Sequence, residues 1–171
     1  LSLRRQRQMC IRDSDYVRYC DVFLPSTLQV KYDIEQKSIL PQYDFGYHEE
    51  ARREYKKIYN VDPIEIEDPQ RDNNWFKFRL DALTSLVNQL VEIAHKNGTK
   101  LSAAVFPFPE MSRRMVRQDW SSWNLDIVCP MNYHQFYNED LAWIKFSVEQ
   151  GIKEIGTQVE YYSGLFVGSL Q

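Results

Sequence analysis

The 171-residue sequence has no apolar run that approaches the roughly 18 to 20 residues needed to cross a bilayer. We therefore predict no membrane span in it. The sequence also lacks a strong excess of either charge, because 21 Lys and Arg residues stand against 24 Asp and Glu residues, a net charge of −3. A surface that binds nucleic acid needs clustered positive charge, so nucleic acid is not an expected partner.

Several motifs that mark catalytic, cofactor-binding or metal-binding sites are also absent. The sequence contains no glycine-rich nucleotide- or dinucleotide-binding motif and no Gly-x-Ser-x-Gly motif, and so predicts no cofactor and no serine hydrolase. Its three Cys residues show no Cys-x-x-Cys or Cys/His spacing, so no metal site is predicted. Cys20 and Cys129 lie within apolar runs, and we predict that both are buried free thiols.

The first segment of the chain does not match the rest. Residues 1–14 (LSLRRQRQMCIRDS) contain four Arg, and their apolar residues fit neither a helix nor a strand. The segment resembles a translated sequencing-adapter tail. A basic presequence is the alternative, but no apolar h-region follows the arginines. We therefore predict a non-native tail at residues 1–14 that packs poorly, followed by one domain at residues 15–171.

The composition from Asp15 onward is that of a globular chain with one core, with 43% hydrophobic and 14% aromatic residues in the whole sequence. Short β-branched or aromatic runs alternate with segments of helical periodicity, which is typical of βα units. The predicted strands are residues 15–22, 100–106, 126–133 and 158–166. The middle two are nearly continuously apolar, as in strands buried on both faces. These features predict an α/β fold with a right-handed series of parallel strands.

The strongest helical pattern covers residues 74–96, where apolar residues recur at spacings of three and four and Gly98 follows as a left-handed cap. Two further helices are predicted at residues 112–123 and 139–150. Asn138 is the expected N-cap of the last helix, and Gly151 is its expected end.

Residues 23–72 separate the first predicted strand from the long helix and far exceed the usual βα loop of about two to six residues. We predict that part of this insertion is ordered, with a helix at residues 47–59. Its aromatic residues suit sugar stacking, but packing of the insertion against the domain explains them equally well. They are Tyr32, Tyr43, Phe45, Tyr47, Tyr55 and Tyr59.

Four segments carry a resemblance to a known family: DYVRY at residues 15–19, LSAAVFPFPE at 101–110, QDWSSW at 118–123 and LDIVCPMNYH at 125–134. In this order they resemble the glycosyl-hydrolase-like family ten proteins, a group of (β/α)8 barrels related to glycoside hydrolases. Ile127 stands where the family pattern has Phe. The resemblance implies a partial TIM barrel that holds strands four to seven, with the long insertion after the first of them.

The resemblance places eight side chains at or near the carboxyl ends of barrel strands, where the active sites of such barrels lie. Asp15 and Glu110 are the expected catalytic pair, because glycosidic cleavage needs one carboxylic acid and one carboxylate. The expected substrate-binding residues are Arg18, Tyr19, Asn132, Tyr133, His134 and Tyr161.

Each catalytic assignment has an alternative. In the alternative interpretation, Asp15 forms an ion pair with Arg18. The alternation of side chains along a strand disfavours this pair, because it points the two side chains to opposite faces. Glu110 is alternatively a residue that begins a helix near its positive end. Asp119 is a weaker catalytic candidate, and His48 and His95 are expected on helices with structural or solvated roles.

The expected function is hydrolysis of O-glycosidic bonds in a poly- or oligosaccharide, without a metal or other cofactor. One alternative is a non-catalytic carbohydrate-binding barrel, in which the acids only accept hydrogen bonds from sugar hydroxyls. Another is an inactive truncated fragment that cannot close its barrel. The resemblance is compatible with a secreted, periplasmic or surface-anchored parent protein.

Overall fold

The structure is a computed structural model that describes residues 11–169. Within this range, four strands form one parallel sheet in the order β1-β2-β3-β4. The strands are Ile11–Ser14 (β1), Lys100–Val105 (β2), Ile127–Pro130 (β3) and Glu160–Tyr161 (β4). Every neighbouring pair is parallel, which confirms the parallel pairing predicted for the second and third strands.

Five α-helices occur in the same range: Ser26–Lys31 (α1), Glu49–Tyr59 (α2), Asn73–Lys96 (α3), Pro109–Val116 (α4) and Leu141–Glu154 (α5). Short 3₁₀ turns cover Pro41–Tyr43, Pro63–Glu65, Trp120–Ser122, His134–Tyr137 and Val167–Ser169. No helix between residues 11 and 169 is both long enough and apolar enough to cross a lipid bilayer. The fold is mixed α/β, as predicted.

The first strand lies upstream of its predicted position. β1 covers Ile11–Ser14, and the predicted strand at residues 15–22 is wrong. Tyr16 has a left-handed φ of 56°, which breaks the extended backbone directly after β1. The exclusion of residues 11–14 from the fold is also wrong, because they pair with β2. The rest of the predicted tail, residues 1–10, lies outside the described residues.

The segment after β1 packs as a loop on the end of α4. The N–H of Tyr19 donates to the carbonyl of Val116 at 3.0 Å, and the N–H of Val22 donates to the carbonyl of Met115 at 2.9 Å. The last carbonyls of a helix have no partner within the helix. The loop therefore supplies hydrogen bonds that α4 needs, and it is held in place by them.

The long predicted helix is confirmed as α3. The side chain of Asp72 accepts the N–H of Trp75 at 2.7 Å and caps the first turn. Gly98 follows the last turn with a φ of 66°, the left-handed position that glycine adopts without strain. The helix in the insertion is also confirmed, as α2, with His48 at its N-cap instead of within it.

Two other helices have different limits from those predicted. α4 ends at Val116 because Arg117 adopts a left-handed φ of 53°, so the prediction of a helix over residues 112–123 is wrong in its second half. α5 begins after Asp140, whose side chain accepts the N–H of Trp143 at 3.0 Å. The N-cap is therefore Asp140 and not Asn138.

Gly151 does not end α5 as predicted but lies within it. A Cβ atom at this position would stand 2.8 Å from the ring of Tyr161 in β4. Glycine is required here because α5 and β4 approach too closely for a side chain. β4 itself is much shorter than the predicted strand at residues 158–166, although an isolated bridge pairs Met131 with Gly164 beyond it. β3 is likewise shorter than predicted.

The hydrophobic core lies between the sheet and α3. Val87 and Val91 are four residues apart on α3 and therefore share the face that contacts the sheet. β2 and β3 are largely buried along their lengths, as predicted for central strands. The other buried members of this core are Leu101, Ala103, Val105, Trp120, Trp123, Leu125 and Val128.

Cys20 and Cys129 are free thiols, as predicted, but neither is fully buried. Cys20 is exposed because it lies in the loop after β1 instead of in a strand. Cys129 is half-buried in β3, and burial raises the pKa of its thiol.

A buried group of charged side chains, which we call the arginine cluster, links the insertion to the rest of the fold. It consists of Asp44, Arg79 and Arg117, whose side chains are all fully buried. Both guanidinium groups contact Asp44 Oδ1, and the distance from Arg117 Nη2 is 3.2 Å. Burial and the neighbouring Arg79 lower the pKa of Arg117 to about 10. The cluster joins the insertion, α3 and the end of α4.

Aromatic rings surround the arginine cluster. The guanidinium carbon of Arg79 lies 4.7 Å from the centre of the Trp75 ring, and that of Arg117 lies 4.8 Å from the centre of the Phe76 ring. Within the described residues, Arg79 Nη2 and Arg117 Nε have no hydrogen-bond partner. The negative faces of these rings partly compensate the unpaired donors.

Some aromatic residues of the insertion are part of this packing. Tyr47 and Tyr55 each lie 5.1 Å from Trp75 between ring centres, and Tyr59 stacks on Tyr55 at 4.5 Å. For these three residues, packing of the insertion explains the aromatic side chains without a ligand.

We predict that Asp44→Ala destabilises the protein by about 3–5 kcal/mol, because it leaves two buried guanidinium groups without their carboxylate. The measurement is the free energy of unfolding in urea. Asp81→Ala is the matched control, since Asp81 forms an exposed ion pair with Lys77 and exposed pairs contribute little. Similar losses in the two variants would contradict the structural role of Asp44.

A carboxylate near the amino end of β3 makes the stability depend on pH. Asp126 Oδ2 lies 2.9 Å from His95 Nε2 and accepts the N–H of Leu101 at 2.8 Å. Partial burial acts to raise the pKa of Asp126, but these two hydrogen bonds outweigh it and lower the pKa below the ordinary 3.8. The stabilisation is therefore fully present above the unfolded pKa and is lost as the pH falls through the lower folded value.

We predict that Asp126→Asn is less stable than the parent protein at neutral pH, and that this difference shrinks as the pH falls below 3.8. Urea unfolding at a series of pH values measures the difference. A difference that stays constant down to the acid limit would show that Asp126 contributes no proton-linked stability.

Candidate functional site

A pocket of about 320 Å³ lies at the carboxyl ends of the first three strands. Asp15 and Tyr16 directly follow β1, Phe106 follows β2, and Met131 and Tyr133 follow β3. Ligands of parallel α/β proteins bind at this edge of the sheet. We call it the strand-end pocket; its other lining residues are Arg18, Asp21, Leu28, Ala104, Gln118, Phe136 and Tyr137.

Asp15 presents an exposed carboxylate to this pocket. The left-handed turn at Tyr16 places its N–H 2.8 Å from Asp15 Oδ1, where it donates a hydrogen bond. Within residues 11–169 the Asp15 carboxylate has no ion pair, so its other oxygen remains open to a ligand. Asp15 therefore lies just after the end of β1, as the family resemblance implied, and not at the start of a strand, as the sequence pattern predicted.

Arg18 enters the same pocket as Asp15, so the prediction that the two point to opposite faces is wrong. That prediction assumes a strand, and the residues lie in a loop. The guanidinium carbon of Arg18 lies 5.4 Å from the Tyr16 ring centre and 5.2 Å from that of Phe106. Its Nη1 donates to Asp21 Oδ1 at 3.1 Å. The ion-pair partner of Arg18 is therefore Asp21 and not Asp15.

Asp21 is a second carboxylate in the strand-end pocket, and the sequence analysis missed it. Its side chain is 30% exposed, so it remains partly accessible although Arg18 holds it. Tyr137 lines the same pocket, and burial and the nearby Asp21 carboxylate raise the pKa of its phenol. The signal in the sequence is weak, since Asp21 lies two residues after the DYVRY run, in no predicted motif.

Gln118 holds two walls of the pocket together. Its Oε1 accepts the N–H of Phe106 at 2.8 Å, and its Nε2 donates to the carbonyl of Val17 at 3.1 Å. Trp120 Nε1 donates to the carbonyl of Phe106 at 3.0 Å. The QDWSSW segment therefore fixes the loop after β2 against the loop after β1. Asp119 of this segment pairs with Arg113 at 2.8 Å, which accounts for it structurally.

Glu110 lines a different pocket from Asp15. This second pocket, the α4–α5 groove, has a volume of about 570 Å³ and is lined by Phe23, Phe108, Glu110, Arg114, Trp143 and Phe146, among others. Glu110 is exposed in the first turn of α4, where a negative charge is favourable. Tyr137 lines both pockets, so they adjoin.

Four predicted substrate-binding residues, Asn132, Tyr161, Tyr19 and His134, do not line either pocket. Asn132 is fully buried: its Oδ1 accepts the Ser147 hydroxyl at 2.6 Å, and its Nδ2 donates to the Ser163 hydroxyl at 2.8 Å. Tyr161 packs against Gly151, and its hydroxyl lies 3.5 Å from Asn132 Nδ2. Both residues join α5 to the sheet.

Tyr19 and His134 also make structural contacts away from the pockets, whereas Tyr133 lines the strand-end pocket. Tyr19 lies against Gly46, where a Cβ would stand 3.0 Å from its ring. Burial raises the pKa of Tyr19 despite the nearby arginine cluster. His134 is buried, and its carbonyl accepts the N–H of Glu139 at 2.9 Å.

In the part of the chain that the structure describes, no three His, Cys, Asp or Glu side chains are arranged to hold a metal ion. Comparisons with family models, with curated proteins and with solved structures gave no significant match. The functional interpretation therefore rests on the residues of the strand-end pocket and its surroundings.

We predict that Gln118→Leu destabilises the protein by about 1–3 kcal/mol, because the Phe106 N–H and the Val17 carbonyl lose a buried partner. Urea unfolding measures the loss, and the NMR shifts of the Phe106 amide proton and the Val17 carbonyl carbon locate it. Gln89→Leu, at an exposed position of α3, is the control. Unchanged shifts at both residues would show that Gln118 does not join the two walls.

Proposed function

We propose that this chain is the substrate-binding part of a glycoside hydrolase, which cleaves O-glycosidic bonds of a poly- or oligosaccharide by acid/base chemistry with two carboxyl groups. The observation that carries the proposal is the exposed Asp15 carboxylate in an aromatic pocket at the carboxyl ends of parallel strands. The pocket falls within the range of about 300–1,000 Å³ of small-molecule sites.

The order of the strands supports a barrel as the parent fold. All four described strands follow one another in the sheet in chain order. A doubly wound sheet reverses its strand order near the middle, whereas a (β/α)8 barrel does not. We propose that β1 to β4 correspond to strands four to seven of such a barrel, in line with the resemblance to the glycosyl-hydrolase-like family ten proteins.

The lining of the pocket suits a sugar. The rings of Tyr16, Tyr133 and Phe136 offer apolar surface to the C–H face of a pyranose, while carboxylates accept hydrogen bonds from its hydroxyls. Asp15 would act as acid, base or nucleophile. Glu110 remains the partner predicted from the sequence, and Asp21 is the second carboxylate within the same pocket.

A second candidate function is binding of a carbohydrate without cleavage. The specific observation in its favour is that Asp15 and Glu110 line different pockets. If no second carboxylate acts with Asp15, the pocket can bind sugar hydroxyls but cannot hydrolyse the bond between two sugars.

We predict that Asp15→Asn lowers turnover by about 10² to 10⁴-fold, because it preserves volume and removes only the ionisable group. The measurement is release of reducing ends from a panel of soluble polysaccharides, with binding measured in parallel. Asp81→Asn, on the exposed side of α3, is the control and should retain full activity.

Turnover of Asp15→Asn within about threefold of the parent would make Asp15 a binding or structural residue. Binding without turnover in the parent chain would favour the non-catalytic alternative. Neither binding nor turnover of any carbohydrate in the panel would contradict both candidate functions.

A further inference from the structure

The α4–α5 groove is lined by aromatic rings that pack against one another. Phe108 lies 6.3 Å from Trp143 and 5.6 Å from Phe146 between ring centres, and both contacts are edge-to-face. Trp143 also lies 5.4 Å from Tyr137. Because these rings pack on one another, their positions are fixed before any ligand arrives.

The groove and the strand-end pocket adjoin and share lining elements. The ring of Tyr137 lines both, and the loop after β2 contributes Phe106 to the pocket and Phe108 to the groove. α1 likewise contributes Leu28 to the pocket and Gln29 to the groove. The groove is therefore the neighbouring cavity into which the next unit of a chain-like ligand in the pocket would extend.

Charged groups border the aromatic rings of the groove. Glu110 and Arg114 are four residues apart on α4 and therefore lie on the same face of the helix. The guanidinium carbon of Arg114 lies 4.5 Å from the centre of the Phe23 ring, which holds it at the groove. Both charged side chains are exposed beside the groove and offer polar contacts that an entirely apolar ligand cannot use. A sugar offers hydroxyl donors to the carboxylate and hydroxyl acceptors to the guanidinium, and apolar C–H groups to the rings.

We infer that the α4–α5 groove is a second subsite, which binds the sugar unit next to the one in the strand-end pocket. The ligand of this surface is then an oligosaccharide of at least two units and not a single sugar. This inference rests on the proposed function. In it, Trp143 is the ring on which the second sugar packs, and Glu110 accepts hydrogen bonds from its hydroxyls.

The test is how the affinity for an oligosaccharide depends on its number of sugar units. Titration calorimetry of the 171-residue chain uses series of glucose, xylose, mannose and N-acetylglucosamine oligomers, each from monosaccharide to hexasaccharide. For a series that binds, we expect an increase of about tenfold on addition of the second unit. Trp143→Ala should abolish this increase and leave monosaccharide affinity unchanged, whereas Trp143→Phe should retain much of it.

Glu110→Gln tests the polar edge of the groove, with Glu149→Gln on the exposed surface of α5 as the matched control. We expect Glu110→Gln to weaken binding of disaccharides and longer oligomers severalfold, and the control to leave it unchanged. Since Glu110 is exposed, this variant also carries the test if Trp143→Ala fails to fold.

If the affinity still rises with oligosaccharide length in both Trp143→Ala and Glu110→Gln, the subsite is wrong. The proposed function would remain intact. Failure of every series to bind would instead contradict the proposed function itself, and the subsite with it. A fluorescent apolar probe, anilinonaphthalene sulfonate, gives a further check. If Trp143→Ala weakens its binding but the longer oligomers do not displace it, the groove takes an apolar partner and the inference is wrong.

Discussion

One buried carboxylate, Asp44, determines how the insertion meets the rest of the molecule. It draws Arg79 from α3 and Arg117 from the end of α4 to the same oxygen atom. The left-handed turn at Arg117 ends α4, and the chain then passes directly to Gln118. Since Gln118 joins the loops that form the strand-end pocket, the shape of that pocket depends on a charge cluster outside it.

The elements with a strong local pattern could be predicted from the sequence. The apolar periodicity of α3, its left-handed Gly98 and the buried runs of β2 and β3 all agree with the structure. The limits of α4 could not be predicted, because they depend on Arg117 reaching Asp44, which lies 73 residues earlier in the chain. β1 was missed because its side chains are mostly exposed and carry no alternating pattern.

The residues of the candidate site also divide into those whose positions the sequence predicts and those that tertiary packing determines. The position of Tyr133 after β3 follows from local sequence. The position of Asp15 at a strand end was implied only by the family resemblance, because the local pattern predicted a strand that begins at Asp15. The burial of Asn132 and the separation of Glu110 from Asp15 arise from the packing of α4 and α5, which no local pattern contains. Asp21 was overlooked because a strand was expected where the chain forms a loop.

The pairing of β1 with β2 has a consequence for the order in which the fold forms. Ile11 aligns with Lys100, so this contact closes a long loop that includes the whole insertion, whereas Ser102 aligns with the much nearer Ile127. The entropic cost of closing a loop rises with its length, and distant contacts form slowly. We therefore expect β2, β3 and the helices around them to assemble early, and β1 to dock last. The pocket that contains Asp15 would then be completed only in the final step of folding.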